Sequence, residues 1–373
     1  MSKKIKIILA VLVFWVALFI SWEWWYSFPK HVFKPALQVS SENDGIDSIL
    51  NQSMATYLLP GISLAVVKNG KVSYLNAFGF KNLETKDSLT IESQILVASV
   101  SKLFTALALA NVFQKLELLP EDNLYALGLS NNLKSPSLVT LRIQDFLSHQ
   151  TGIRDKNFSE EIFSSSKLQS LQEWGDEFIT NAHDYQKGSK AYNYADANYD
   201  LLGLFLSQSA GIDFDSVLQE EVLMPSGMFN SKFISTWPID ENGLTGYQRT
   251  FLWKRIVAKR MRFPILPSPS SGLLTTTKDM SLALVQLLRG DNGAHQKALK
   301  WLTIEGRDTP LGFQKTQING REWIGHFGGQ AGYSSLLFFS KDAKTAIFLF
   351  SNARDTSDFR IEIANQVISY ISP

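Results

Sequence analysis

Strand-like sequence at both ends of the chain, with helical sequence between, most restricts what this chain can fold into. Near the start, Ile62–Val67 and Lys71–Phe78 flank Asn69-Gly70, and Asn-Gly between two strand-like runs is a strong hairpin signal. Near the end, Tyr333–Phe339 and Thr345–Phe350 flank the turn Lys341-Asp342-Ala343-Lys344, and a helix is predicted over Ser357–Ile371. The middle reads as helices: the stretch from Ser99 to about Leu116, Leu141–Leu147, Glu160–His183, Asn198–Ser209, Phe214–Leu223 and Asp279–Leu288. A helix over Ile46–Leu58 stops at Pro60-Gly61. The expected fold class is α/β (α+β). An antiparallel sheet built from both chain ends is flanked by helices, and an all-α lobe is inserted between its halves. A site belongs in the cleft between the two.

The first residues are different. Lys3, Lys4 and Lys6 precede Ile7–Trp22, an apolar run broken only by Ser21, and Glu23-Trp24-Trp25-Tyr26 follow. An apolar run ending in aromatic residues suits a membrane span of about 20 residues. A cleaved signal peptide is the rival reading, but such peptides end in small residues. Residues 1–26 are therefore expected to be an anchor meeting the bilayer through residues 5–26, with residues 27–44 an extended linker carrying Pro29 and Pro35. Basic residues ahead of the span are expected to put the rest of the chain outside the cytoplasm, in a single-pass arrangement at the cell membrane. Residues 45–373 are expected to form the folded domain, with an α/β lobe of about 45–118 and 300–373 and a helical lobe of about 119–299.

Composition narrows the chemistry. There is no cysteine, which removes disulfides, thiol catalysis and zinc–thiolate sites. The net charge of +1 gives no field pointing to nucleic acid. The five histidines, His31, His149, His183, His295 and His326, are too scattered for a local metal motif. No metal and no cofactor is expected.

Three clusters carry chemistry. In Ser99-Val100-Ser101-Lys102, a serine leads a lysine by three places at the start of an apolar helix, so both side chains share one face. Ser164 and Lys167 repeat the spacing in a polar stretch without the company found around Ser99. Tyr192-Asn193-Tyr194-Ala195-Asp196 precedes another apolar helix, and a phenol beside a lysine can act as a general base. Gly325-His326-Phe327-Gly328-Gly329 leads into the Tyr333 strand, where glycines let a substrate backbone approach closely.

In this order the clusters resemble the serine β-lactamase and penicillin-binding-protein superfamily, in its class C and carboxylesterase/DD-peptidase branch. The resemblance runs from about Gly45 onward. It takes in Ser99-Val100-Ser101-Lys102, Tyr194-Ala195-Asp196, and His326-Phe327-Gly328 where many members have Lys-Thr-Gly. Leu147–Ile153, Asn198–Gly203 and Ser271–Met280 agree as well. It implies a β-lactamase/transpeptidase-like fold and an acyl-enzyme on Ser99. Lys102 and Tyr194 would activate the serine, and His326 would stand beside the tyrosine. The backbone N–H groups of Ser99 and Gly329 would form an oxyanion hole. Asp196, Phe327 and Gly328 would line the substrate site.

Two residues depart from the family pattern. Asp196 replaces a common Asn, and a carboxylate accepts hydrogen bonds but cannot donate them. Phe327 replaces a frequent Thr. Asp196 would also pair with Lys102 and keep it protonated, which shifts the base role towards Tyr194. The hydroxyl lost at Phe327, and neutral His326 in place of a lysine, weaken binding of a substrate carboxylate. An esterase, amidase or peptidase acting on a small ester or a cell-wall or D-amino-acid peptide is therefore favoured. A penicillin-binding DD-peptidase or weak class C-like β-lactamase is the alternative, and a catalytically silent wall- or partner-binding module is a reading of another class. His149 reads as a turn-stabilising residue. The stretch Phe251–Phe263 is basic and aromatic. Its Lys254, Arg255, Lys259, Arg260 and Arg262 could meet an anionic surface or lie on an ordinary solvated face.

Overall fold

The computed structural model describes residues 2–27, 44–123, 140–155, 169–180, 191–234, 243–259, 269–289, 293–307, 309–330 and 332–371. Its centre is a seven-stranded sheet drawn from both ends of the chain. The early strands are β1 (Gly61–Lys68), β2 (Lys71–Asn82) and β3 (Asp87–Ser88), followed by the short β4 (Ile95–Leu96). The middle of the chain supplies β5 (Lys232–Phe233), β6 (Tyr247–Arg249), β7 (Ile256–Ala258) and β8 (Leu273–Thr275). The late strands are β9 (Gln314–Ile318), β10 (Arg321–Gln330), β11 (Tyr333–Ser340) and β12 (Thr345–Ser351). The sheet order is β3-β2-β1-β12-β11-β10-β9. β1 and β12 pair antiparallel, from Ile62 opposite Ser351 to Lys68 opposite Thr345. That pairing is the seam between the two chain ends.

Both faces of the sheet are covered, so its central strands are buried along almost their whole length and carry apolar residues on both faces rather than alternating. On one face, Ile62, Leu64, Val66, Leu336, Phe338, Ile347 and Leu349 pack with the helices Asp44–Tyr57 and Phe359–Ile371. On the other, Ala65, Val67, Ala346, Phe348 and Phe350 belong to the larger core. The helix Thr277–Leu288 adds Met280, Ala283, Leu284 and Leu287 to it, and Ser63 and Thr277 meet across this contact, oxygen to oxygen, at 2.6 Å. The sequence reading placed that helix in the lobe of about 119–299, but its partners are strands of the sheet.

The helical part packs around Ser101–Lys115 and Asp196–Ala210. Both helices are buried on most sides, which explains their weak amphipathicity. The helix expected over Phe214–Leu223 is α-helical only to Leu218, and Gln219–Leu223 is a π-helical turn ahead of Met224–Ser226. Of the helix expected over Glu160–His183, Leu171–Thr180 is seen, and residues 156–168 and 181–190 lie outside the described residues. The basic stretch is a hairpin, β6 and β7 joined by a turn; Arg260 and Arg262 lie outside the described residues. Also outside them are residues 28–43 of the expected linker.

Candidate active site

Ser99 does not begin the long helix as the spacing alone suggests. It lies in a 3₁₀ turn, Ala98–Val100, and the α-helix starts at Ser101. Ala98 ahead of it has φ +49°, a left-handed conformation that costs an alanine roughly 1–2 kcal/mol. Surrounding contacts hold the turn. The Ser101 hydroxyl donates to the Ala98 carbonyl at 2.6 Å and accepts from the Leu273 N–H at 3.0 Å. The Ser335 hydroxyl donates to the Val97 carbonyl at 2.7 Å.

Lys102 is fully buried. Its Nζ donates to Asp196 Oδ1 at 2.6 Å, the Ser270 carbonyl at 3.0 Å and Ser99 Oγ at 3.2 Å. An ammonium has three donors, and all three are used. Burial pushes its pKa down, but the Asp196 carboxylate and the Tyr194 phenol push it up further, leaving it above the ordinary lysine value. The aromatic walls reinforce this: Nζ lies 4.9 Å from the Tyr194 ring centre and 5.6 Å from that of Tyr199. Lys102 is thus a fixed cation pointing at Ser99.

Asp196 opens the helix Asp196–Ala210. The Asp155 carboxylate caps that helix by accepting from the Asp196 N–H at 2.9 Å and the Ala197 N–H at 3.0 Å. One turn on, Asp200 Oδ1 accepts from the Ser270 N–H at 2.9 Å and so holds the segment whose carbonyl binds Lys102. Burial, with the Asp196 charge, raises Asp200 to about 7. Neither Asp155 nor Asp200 stood out in the sequence. Each acts through a backbone amide that only the fold brings near.

Tyr194 is partly exposed and sits between two histidines. Its ring centre is 4.4 Å from that of His149 and 6.4 Å from that of His326. His149 fills a turn at φ +55°, and its Nδ1 accepts from the Ala195 N–H at 3.3 Å. It therefore holds a turn and also backs the candidate base. Burial, with the Lys102 charge, pushes its pKa down to about 4. His326 Nδ1 is 2.6 Å from the Phe327 carbonyl. A carbonyl only accepts, so Nδ1 carries the proton and Nε2 is left as an acceptor. Burial, with the Lys102 charge, brings His326 down to about 3. It is neutral at physiological pH.

The glycines after His326 have different environments. A Cβ on Gly328 would lie 2.1 Å from the Val97 carbonyl oxygen; no side chain fits where β10 crosses the turn that carries Ser99. A Cβ on Gly329 would meet nothing, so its exposed backbone faces open space. Behind them, the Arg360 guanidinium donates to the Gly328 carbonyl at 2.6 Å and the Ser335 carbonyl at 2.9 Å. The same side chain lies over the Phe327 ring and pairs with Asp355 at 2.7 Å. Next to the site opens a hollow of about 610 Å³ bordered by His149, Tyr192, Gln314, His326 and Phe327.

The structure thus gathers Ser99, Lys102, Tyr194, Asp196 and His326 around one point, with Gly328 and Gly329 on the adjoining strand. Among the described residues, no group of three or more His, Asp or Glu side chains could hold a metal.

Known proteins resemble this chain in sequence and fold. The D-aminopeptidase of Brucella anthropi is 26% identical over 329 residues, which cover 83% of this chain and 59% of that protein. Protein flp of Staphylococcus aureus is 24% identical over 241 residues, covering 63% of this chain and 47% of its own length. The chain thus spans about half the length of the curated relatives it matches. Among solved structures, the D-amino acid amidase of Ochrobactrum anthropi SV3 superposes with a TM-score of 0.73 at 21% identity, covering 89% of this chain and 99% of the amidase. That likeness shows the fold. The model of the family described as Beta-lactamase matches residues 46–369, and over that length the kinship is plain: the chain belongs to the Beta-lactamase family.

Proposed function

We propose that this family member is a serine hydrolase that cleaves amide or ester bonds through an acyl-enzyme on Ser99. The observation that carries the reading is the threefold-bound Lys102 ammonium, donating to Ser99 Oγ at 3.2 Å. An ammonium with every proton engaged and a raised pKa cannot take the serine proton. Tyr194 is the remaining base beside it. In this scheme Tyr194 accepts the Ser99 proton as Oγ attacks the substrate carbonyl. The N–H groups of Ser99 and Gly329 receive the oxyanion. Tyr194 returns the proton to the leaving group, then removes one from the water that releases the acid.

The same site favours a substrate bearing an amine near the scissile bond over one bearing a carboxylate. Neutral His326 offers only a lone pair at Nε2, which repels a carboxylate. The Asp196 side chain is 43% exposed and brings negative charge to the mouth of the site. An amino-acid amide, an amino ester or the free N-terminus of a peptide fits this polarity. The names of the D-aminopeptidase and D-amino acid amidase relatives agree with it.

The reading includes a membrane tether. The helix Lys3–Tyr26 is long and apolar enough to cross a bilayer, and its apolar stretch is not buried in the protein. Lys3, Lys4 and Lys6 at its start favour the catalytic domain on the outer side of the membrane.

Intact-mass measurement after exposure to a fluorophosphonate, a fluorescent penicillin and amino-acid p-nitroanilides tests the chemistry. We expect a fluorophosphonate adduct that Ser99→Ala abolishes, with hydrolysis lowered by about 10³-fold or more. Unchanged turnover in Ser99→Ala would refute the assignment. Stoichiometric penicillin labelling at Ser99 would favour the DD-peptidase reading.

A further inference from the structure

The hairpin formed by β6 and β7 has no part in the chemistry, yet its turn is fastened to the far end of the helix Lys3–Tyr26. Glu23 is the sole acidic residue of that helix, and it is 4% exposed. One of its carboxylate oxygens accepts from the Phe251 N–H at 2.5 Å, the other from the Leu252 N–H at 2.9 Å. The Trp253 indole donates to the Ile20 carbonyl at 3.4 Å. The Arg255 guanidinium donates to the Ser27 hydroxyl at 3.1 Å. Residues 20, 23 and 27 follow one another at helical spacing, so the turn lies along one stripe of the helix end.

This clasp leaves the apolar side chains of the turn outward. Phe251 is 73%, Leu252 43% and Trp253 41% exposed. A soluble turn rarely shows three large apolar residues in a row. Trp22, Trp24, Trp25 and Tyr26 are exposed on the helix beside them. Lys254 and Arg255 follow at once, their cations over the Phe251 and Trp253 rings at 5.6 and 5.2 Å. Counted from Ile5, about 20 residues of helix cross the hydrocarbon, so Glu23 and its clasp fall at the outer interface. Tryptophan, tyrosine and snorkelling basic residues concentrate at that depth.

We propose that Phe251-Leu252-Trp253 is a second membrane contact, inserted into the interfacial layer of the bilayer the helix crosses, with Lys254 and Arg255 at the lipid phosphates. Glu23 is the clasp that sets its depth. Two attachment points hold the catalytic domain at a fixed height and tilt, where a single flexible tether would let it roam. The inference rests on the tether proposed above.

The chain has no cysteine, so single cysteines at Trp15, Phe251 and Phe229 can each carry an environment-sensitive NBD dye. The full chain would be reconstituted in phosphatidylcholine–phosphatidylglycerol vesicles, with and without doxyl-labelled lipid. Labels from Trp15→Cys and Phe251→Cys should be blue-shifted and quenched by doxyl lipid. The label from Phe229→Cys should stay in water and be quenched by iodide. Adding Glu23→Gln should weaken lipid quenching at 251 and leave it intact at 15. Lipid quenching at 15 with iodide quenching at 251 overturns the second contact and spares the tether. No lipid quenching at 15 overturns both. A label at 251 shielded from iodide yet untouched by doxyl lipid marks a protein neighbour, and overturns the bilayer as occupant.

Discussion

At the scale of single residues, Asp196 and His326 decide the electrical character of the site. Asp196 binds Lys102 and keeps it charged, and its side chain stays 43% exposed; in the proposed function it faces incoming substrate. A unit charge about 4 Å away is worth about 1 kcal/mol in water and about 4 kcal/mol near a protein surface. Asp196→Asn should therefore lower kcat/KM for an amino-acid amide at least about tenfold relative to its N-acetylated analogue, and should raise the rate of penicillin acylation. An unchanged ratio in paired steady-state assays would mean that Asp196 does not read the amine. Burial of histidines also shapes the response to acid. His295 is buried with its Nε2 at the Ser226 hydroxyl, 2.6 Å away, and burial holds it down to about 4. Between pH 6.5 and 4 the unfolded chain binds a proton at this residue and the native state does not, so the stability it lends is full above 6.5 and is lost as pH falls. His149 and His326 act in the same direction, whereas Asp200, raised to about 7, acts in the opposite one. His295→Gln should flatten the acid limb of urea-unfolding stability by up to about 1.4 kcal/mol per pH unit in that window. Parallel limbs for variant and wild type would contradict the assignment.

At the scale of elements, the site depends on one crossing, where β10 lies on the 3₁₀ turn that carries Ser99. Gly328→Ala puts a methyl into the Val97 carbonyl, and the backbone has to move. Overpacking of this kind costs about 1–3 kcal/mol, so the variant should melt several degrees lower. Its kcat should fall more than its KM rises, because the nucleophile turn shifts. Gly329→Ala, with open space around its Cβ, should keep the wild-type melting temperature. The contrast between the two glycines was not visible in Phe327-Gly328-Gly329 as letters. Nor was the strand itself: Arg321–Gln330 carries three glycines and a histidine, which mask its pairing with β9 and β11. By contrast Asn69-Gly70 and the runs around it announced their hairpin, because turn chemistry and apolar runs are local signals. That Ser99, Lys102 and Tyr194 come together was legible from spacing and resemblance. The residues that hold them, Asp155, Asp200, Ser270, Ser335 and Arg360, were not, since each works through a backbone group distant in sequence. The turn at Ala98 was hidden for a related reason: its left-handed backbone is imposed by the contacts around it, and alanine has no preference for it.

At the scale of the whole molecule, the two chain ends share one sheet and the site hangs from it. β10 brings Gly328 and Gly329, and Arg360 of the C-terminal helix supports β10 and β11 from behind. β1 and β12 tie that half to the earlier strands, which lead through β4 to the turn that carries Ser99. A weakness at the β1–β12 seam would therefore reach Ser99 without touching it. The seam also bears on how the protein is made. β1 leaves the ribosome with one apolar edge of Ile62–Val67 unpaired, and the whole helical part is made before its partner Thr345–Ser351 follows. Until then the N-terminal hairpin has an open edge, of the kind that invites pairing with other chains, and such distant pairing is slow to form. That edge has to stay covered until β12 is made, which makes a holding chaperone a natural requirement of this topology.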